Sequence, residues 1–92
     1  VLVDDRSDDG TGELADRLAR ADPRITVVHV DVLPDGWLGK VHAMQRGLAC
    51  ARGEWLLFSD ADVHLAPGTL ARLVAWAELT GVDHVAALPS VS

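Results

Sequence analysis

Apolar residues along the chain alternate between short consecutive runs and runs with helical spacing. The consecutive runs predict four strands, at residues 1–3, 25–30, 55–58 and 82–88. Apolar positions three and four residues apart predict helices between them, at residues 12–21, 40–51 and 67–80. Strands that alternate with helices of this length are connected by right-handed crossovers. The pattern therefore predicts an α/β fold with a mostly parallel sheet and helices on both faces.

Composition and charge narrow the function classes. The 92 residues are 49% hydrophobic and 24% charged, which is typical of one small globular domain. A net charge of -6 argues against nucleic acid as a partner, because phosphate backbones are bound by basic surfaces. No apolar run approaches the ~20 residues of a membrane span. The single cysteine, Cys50, excludes an internal disulfide and agrees with a cytoplasmic location.

Paired carboxylates follow two of the predicted strands. Asp4 and Asp5 come after the first strand, and Asp60 and Asp62 after the third. Ligands of open α/β sheets bind at the carboxyl ends of parallel strands, so these four side chains are expected at one edge. In extended backbone Asp60 and Asp62 would face the same side and hold Mg²⁺ or Mn²⁺ through oxygen. A solvated turn is the alternative interpretation of this short acidic pattern.

A glycine-containing loop precedes the second predicted helix. It places Lys40 at the helix start, immediately after Gly39. A cation is electrostatically unfavourable at a helix N-terminus, whereas the free N–H groups there favour phosphate. An anionic ligand would explain the lysine. The alternative is a surface lysine whose aliphatic stem lies on Trp37.

Three segments together resemble a known family. They are VDDRSDDGT at residues 3–11, GKVHAMQRGL at residues 39–48 and SDAD at residues 59–62. Their residues, and their order along the chain, resemble the motifs of family 2 glycosyltransferases with the GT-A fold. This is a Rossmann-like nucleotide-diphospho-sugar transferase fold. The GWLGK segment at residues 36–40 is similar to bacterial members near the hopanoid- and carotenoid-associated enzymes. Gln45 departs from the asparagine that is usual in the second motif.

The resemblance implies a role for each motif residue. Asp4 and Asp5 would border the nucleotide pocket of a UDP-sugar, with one of them hydrogen-bonded to the base. Lys40 would approach the nucleotide or its diphosphate. Asp60 would contact the ribose or the metal's water shell, and Asp62 would ligate Mn²⁺ or Mg²⁺. The metal would stabilise the departing nucleoside diphosphate during transfer of the sugar, with inversion at the anomeric carbon.

The resemblance also implies segments that residues 1–92 do not contain. Family members begin with a further strand, which lies between the strands matched by residues 1–3 and 55–58. Their general base lies well downstream of D-x-D, and is therefore expected beyond Ser92. We thus expect a partial donor-binding domain that is inactive alone, with its acceptor, such as a lipid-linked one, unassigned. Membrane association, at the cytoplasmic face, would come only through the missing regions.

Two other functions fit part of the pattern. Receiver domains also place an acidic pair and a later aspartate at strand ends, and Asp4, Asp5 and Asp60 mimic that arrangement. A receiver further needs a lysine at a later strand end, and no lysine follows Asp62. A non-catalytic nucleotide-binding fragment is compatible with all three motifs.

Overall fold

A computed structural model describes residues 1–88, which form two strands and three helices. The elements are β1 (Leu2–Asp5), α1 (Thr11–Ala21), β2 (Val27–Val30), α2 (Gly39–Leu48) and α3 (Thr69–Thr80). The chain divides into two compact units, Val1–Leu56 and Leu57–Ser92. The first unit holds the sheet with α1 and α2, and the second holds α3. The helices confirm the helical spacing in the sequence, and their ends differ from the predicted ones by at most three residues.

The first unit is built on a parallel strand pair. Residues of β1 pair in register with those of β2, from Leu2 opposite Val27 to Asp5 opposite Val30. The ladder continues past the end of β1, where the Arg6 N–H donates to the Val30 carbonyl at 2.9 Å. Helix α1 connects the two strands, so the unit is a β-α-β crossover. This confirms the parallel α/β architecture predicted from the order of elements.

The two helices of the first unit contact residues from opposite faces of β1. A Cβ atom at position 47 of α2 would lie 3.0 Å from Val3 Cγ2. A Cβ atom at position 12 of α1 would lie 2.5 Å from the Asp4 carboxylate. Because successive side chains of a strand point to opposite faces, α1 and α2 cover opposite faces of the sheet. Helices on both faces are therefore confirmed.

The core of the first unit is small and lies mainly on the α2 side of the sheet. Val28 and Val30 have 8% and 1% of their surface exposed, and both share the face of Val3. On the other side, Ala15 of α1 is buried while Leu14 and Leu18 stay about half exposed. The buried valines explain why β2 forms here, because β-branched residues pack well on a covered pleated surface.

The second unit is organised by one helix with a glycine at its C-terminal end. Gly81 has a φ of 73°, the left-handed conformation that a β-carbon disfavours, and its N–H donates to the Ala77 carbonyl at 2.9 Å. Ala77 is buried, whereas Trp76 and Leu79 are mostly exposed. The predicted stop at Gly81 is confirmed. Pro67 precedes the helix instead of occupying its first turn.

Two predicted strands do not form within residues 1–88. Residues 55–58 and 82–88 have no strand structure, and the described sheet consists only of β1 and β2. The side chains of residues 55–58 are 37% to 54% exposed. A strand is stable only when a neighbour pairs its backbone groups and covers a face, and neither segment is paired in a ladder. Apolar composition alone was therefore an insufficient signal.

A membrane span is not found in the described part of the chain. Each of the three helices is too short and too polar to cross a bilayer.

Candidate functional site

Asp4 and Asp5, the first predicted acidic pair, are the last two residues of β1. Consecutive positions on a strand send the two carboxylates to opposite faces. Asp4 lies beside α1, and its side chain is only 10% exposed. Asp5 lies beside the start of α2, where a Cβ at position 39 would be 3.4 Å from its Oδ2, and its side chain is 27% exposed. Asp4 and Asp5 therefore lie in two different environments, on opposite faces of the sheet.

Both oxygens of the Asp4 carboxylate have hydrogen-bond partners within the first unit. Oδ1 accepts a hydrogen bond from the Ser7 backbone N–H at 3.3 Å, and Oδ2 lies 3.1 Å from His29 Nδ1. Hydrogen bonding from Ser7, followed by that from His29, holds the pKa of Asp4 below its ordinary value. Asp4 consequently fixes the loop that follows β1.

His29 bridges two carboxylates, an arrangement that the sequence analysis did not anticipate. Its Nε2 lies 2.8 Å from Asp16 Oδ1 of α1, while its Nδ1 faces Asp4. Hydrogen bonding to Asp16, and then to Asp4, raises the pKa of His29. The pairing register places His29 directly opposite Asp4, so a correct alignment of β1 with β2 would have predicted the contact.

Asp5 is paired with Arg6, a residue of the first motif to which the sequence analysis gave no role. Arg6 Nε donates to Asp5 Oδ1 at 2.9 Å, and the guanidinium remains 42% exposed. Arg6 also has a φ of 59°, which is uncommon for a residue with a β-carbon. Such backbone strain is often found at binding sites. The end of β1 therefore carries a carboxylate and a guanidinium side by side.

The N-terminus of α2 adjoins this Asp5–Arg6 pair. A Cβ at position 39 would lie 3.0 Å from the Arg6 guanidinium, so glycine permits the close approach. The first turn of α2 contains Lys40, contains no acidic residue and has no side-chain cap. Uncapped N–H groups and two cationic side chains make this end of the sheet suitable for an anion.

The loop before α2 is held by an aromatic contact that the sequence analysis also missed. The Trp37 ring meets His42 edge-on, with centroids 5.5 Å apart. His42 is 7% exposed, and its Nδ1 is buried without a hydrogen-bond partner. The alternative, in which the aliphatic stem of Lys40 lies along Trp37, stays a prediction.

Asp60 and Asp62 belong to the second unit, where they lie in an exposed turn. The Val63 N–H donates to the Asp60 carbonyl at 3.2 Å, and the Ser59 hydroxyl donates to the same oxygen at 3.1 Å. The prediction of a strand end, with both carboxylates on one side of extended backbone, is wrong for this segment. Residues 55–58, which precede this turn, are not part of the described sheet.

The donor chemistry of this turn fits a hard divalent cation. Both aspartates are exposed and offer carboxylate oxygens two residues apart. Mg²⁺ commonly uses only one or two protein carboxylates and keeps water or phosphate oxygens as its other ligands. Within residues 1–88, no group of three or more His, Cys, Asp or Glu side chains is placed for metal binding. A metal here would therefore depend on two carboxylates and its non-protein ligands.

Comparison with known proteins gives consistent results across the chain. The sequence profile described as Glycosyl transferase family 2 matches residues 1–90. A Haloferax volcanii protein named Glycosyltransferase AglD is 40% identical over 68% of this chain. Uncharacterized glycosyltransferase EpsJ of Bacillus subtilis is 34% identical over 92% of it. Polyprenol monophosphomannose synthase of Mycolicibacterium smegmatis is 42% identical over 80% of it. No solved structure gave a significant match.

The matched regions are small parts of these relatives. The match covers 10% of the AglD protein, 23% of EpsJ and 28% of the polyprenol monophosphomannose synthase. The similarity to hopanoid- and carotenoid-associated enzymes is a narrower prediction that these matches do not test.

Proposed function

This chain belongs to glycosyl transferase family 2, and we propose that it binds the nucleotide-sugar donor, a UDP-sugar, of a glycosyltransferase. The family assignment leaves the receiver-domain alternative without support. In this proposal Asp5 and Lys40 contact the nucleotide, while Asp4 orders the loop beside it. Asp60 and Asp62 hold Mn²⁺ or Mg²⁺.

The approach of Asp5 to the start of α2 is the observation that carries the proposal. Nucleotide recognition needs a hydrogen-bond acceptor for the base N–H and positive charge for the phosphates. The end of β1 supplies the Asp5 carboxylate, and Arg6 and Lys40 supply the charge. Donor binding would require Arg6 to share Asp5 with the base or to turn toward the phosphates, which its exposure permits.

The two exposed aspartates of the second unit support a metal role. When bound, the divalent ion supplies Lewis-acid stabilisation of the nucleoside diphosphate leaving group. In this proposal the chain provides Asp62 as a metal ligand. Asp60 is either a second ligand or a hydrogen-bond partner of the ordered water around the metal. Both residues are exposed, and such ions retain water and phosphate ligands beside one or two protein carboxylates.

The proposal also concerns the acceptor of the transferred sugar. One relative is named a polyprenol monophosphomannose synthase, so a lipid-linked acceptor is our proposal for the full-length protein. We also propose that transfer inverts the anomeric carbon, that the full-length protein acts at the cytoplasmic face, and that residues 1–92 alone are inactive. A transfer assay with polyprenyl phosphate would separate this enzyme function from a non-catalytic nucleotide-binding role.

Calorimetric titration of the full-length protein with UDP, with and without Mn²⁺, tests the proposed metal site. We expect Asp62→Asn to weaken Mn²⁺-dependent UDP binding by about 100-fold, because a neutral amide is a poor ligand for a hard cation. Asp83→Asn is the matched control, since Asp83 is an exposed aspartate of the same unit outside the motifs. Equal UDP affinity in Asp62→Asn and wild type would contradict the metal assignment.

A further inference from the structure

We propose that His29 is a positioning residue that braces Asp4 and the β1–α1 loop beside the donor site, and that protonation of its ring tightens the brace. The proposal rests on the proposed function, because it concerns the loop next to the nucleotide. The geometry that supports it belongs to the first unit alone.

Three elements are tied together by the histidine ring. His29 on β2 contacts Asp4 on β1 through Nδ1 and Asp16 on α1 through Nε2. The other oxygen of Asp4 accepts the Ser7 N–H, so the ring is linked to the loop through one carboxylate. The next residue after Asp4 is Asp5, which we assign to the nucleotide. A shift of Asp4 would therefore move the backbone that carries Asp5.

The strength of the brace depends on the charge of the ring. An imidazolium donates from both nitrogens, whereas a neutral imidazole donates from one and must present a lone pair to the other carboxylate. The charged groups that face His29 are Asp4 from β1 and Asp16 from α1. Asp9 of the β1–α1 loop adds charge near Asp4, and α2 packs on the opposite face.

The direction of the pH effect follows from the raised pKa of His29. Its contribution is complete below the ordinary value of 6.5 and declines as pH rises through the raised pKa. We therefore expect the β1–α1 loop to loosen, and the donor to bind less tightly, as pH rises beyond 6.5 and through the raised pKa of His29.

Gly12 provides an independent indication that the Asp4 carboxylate has a defined position beside α1. A Cβ at this position of α1 would lie 2.5 Å from Asp4 Oδ2 and 3.4 Å from His29 Cε1. Alanine is the better helix former, so glycine in the first turn of α1 is unfavourable for the helix itself. The glycine instead allows the helix to approach the bridged pair closely.

Two isosteric variants of the full-length protein distinguish bracing from space filling. The amide nitrogen of Asn matches the position of Nδ1, and that of Gln matches Nε2. His29→Asn thus keeps the donor to Asp4, and His29→Gln keeps only the donor to Asp16. The readouts are hydrogen exchange of the Ser7 amide and calorimetric UDP affinity between about pH 6 and pH 9. His84→Gln, at an exposed histidine of the second unit, is the control.

We expect the wild type to lose roughly three- to tenfold in UDP affinity as pH rises, the effect of one hydrogen bond. His29→Asn should bind as tightly as wild type at acid pH and show a flat profile, and His29→Gln should be weak throughout. Gly12→Ala should also weaken UDP binding while α1 stays helical, because it displaces the Asp4 carboxylate without removing a polar group.

The outcomes separate this inference from the proposed function. Equal Ser7 exchange and equal UDP affinity in wild type, His29→Asn and His29→Gln would overturn the brace. If the wild type binds no UDP, the proposed function fails, and the Ser7 exchange profile alone decides the brace. A protection factor of the Ser7 amide (the intrinsic exchange rate divided by the observed rate at the same pH) that falls as pH rises in wild type and stays constant in His29→Asn would then still support it.

Discussion

The chain contains two similarly apolar segments, residues 27–30 and residues 55–58, yet within residues 1–88 only the first of them forms a strand. Residues 27–30 become β2 because β1 pairs with them and α2 covers Val28 and Val30. Residues 55–58 are at least as apolar, but they remain irregular and about half exposed. The division between the units falls inside that second segment. Strand formation in this chain therefore depends on an available neighbour more than on local composition.

The comparison extends to the way each unit is stabilised. The first unit depends on contacts between residues far apart in sequence, such as the β1–β2 ladder and the His29 bridge. The second depends on signals local to α3, chiefly the glycine that ends it. The effects of substitutions on stability should accordingly be larger and extend over more of the chain in the first unit than in the second.

Removing a buried methyl pair from the first unit should give the largest change in stability. Val30→Ala should lower the free energy of local unfolding by about 2 kcal/mol, through lost burial and a residual cavity. Amide hydrogen exchange of β1 and β2 in the full-length protein would then accelerate about 30-fold. Val32→Ala makes the same truncation at a residue that is 74% exposed. A comparable acceleration in that control would contradict the core assignment.

A change at the end of α3 should have a smaller and more local effect. Gly81→Ala places a β-carbon at a φ of 73° and should cost about 1 kcal/mol, seen as faster exchange in the last turn of α3. Gly81→Asn should cost less, because asparagine tolerates the left-handed conformation better. Exchange of the β2 amides should not change. If β2 responds as strongly as α3, the contrast between local and non-local stabilisation is wrong.

Much of the fold could be predicted because helices carry their information locally. The spacing of apolar residues, together with Gly81, located all three helices to within a few residues. Strands 55–58 and 82–88 were wrongly predicted because pairing partners are not encoded in the segment itself. The single partial domain predicted over residues 1–92 stays a prediction.

The candidate site was predictable in its residue types but only partly in its geometry. The three motifs led to the family, which the sequence comparison confirms. They did not reveal that Asp4 and Asp5 serve different faces, although strand alternation implies it once β1 is extended through Asp5. His29 lies outside the three motifs, and Arg6 lies in the first motif without a role implied by the resemblance. Only the strand register and the backbone conformation showed their part in the site.

The most direct test concerns Asp5, the carboxylate that faces the start of α2. UDP should be titrated into the full-length protein in Mn²⁺, with Asp5→Asn compared with Asp8→Asn. Asp8 is an exposed aspartate of the same motif to which the resemblance gives no role. We expect Asp5→Asn to lose at least about tenfold in UDP affinity, as when a charged hydrogen-bond acceptor is removed, and Asp8→Asn to match wild type. Wild-type affinity in Asp5→Asn would contradict the assignment of the nucleotide site to this end of the sheet.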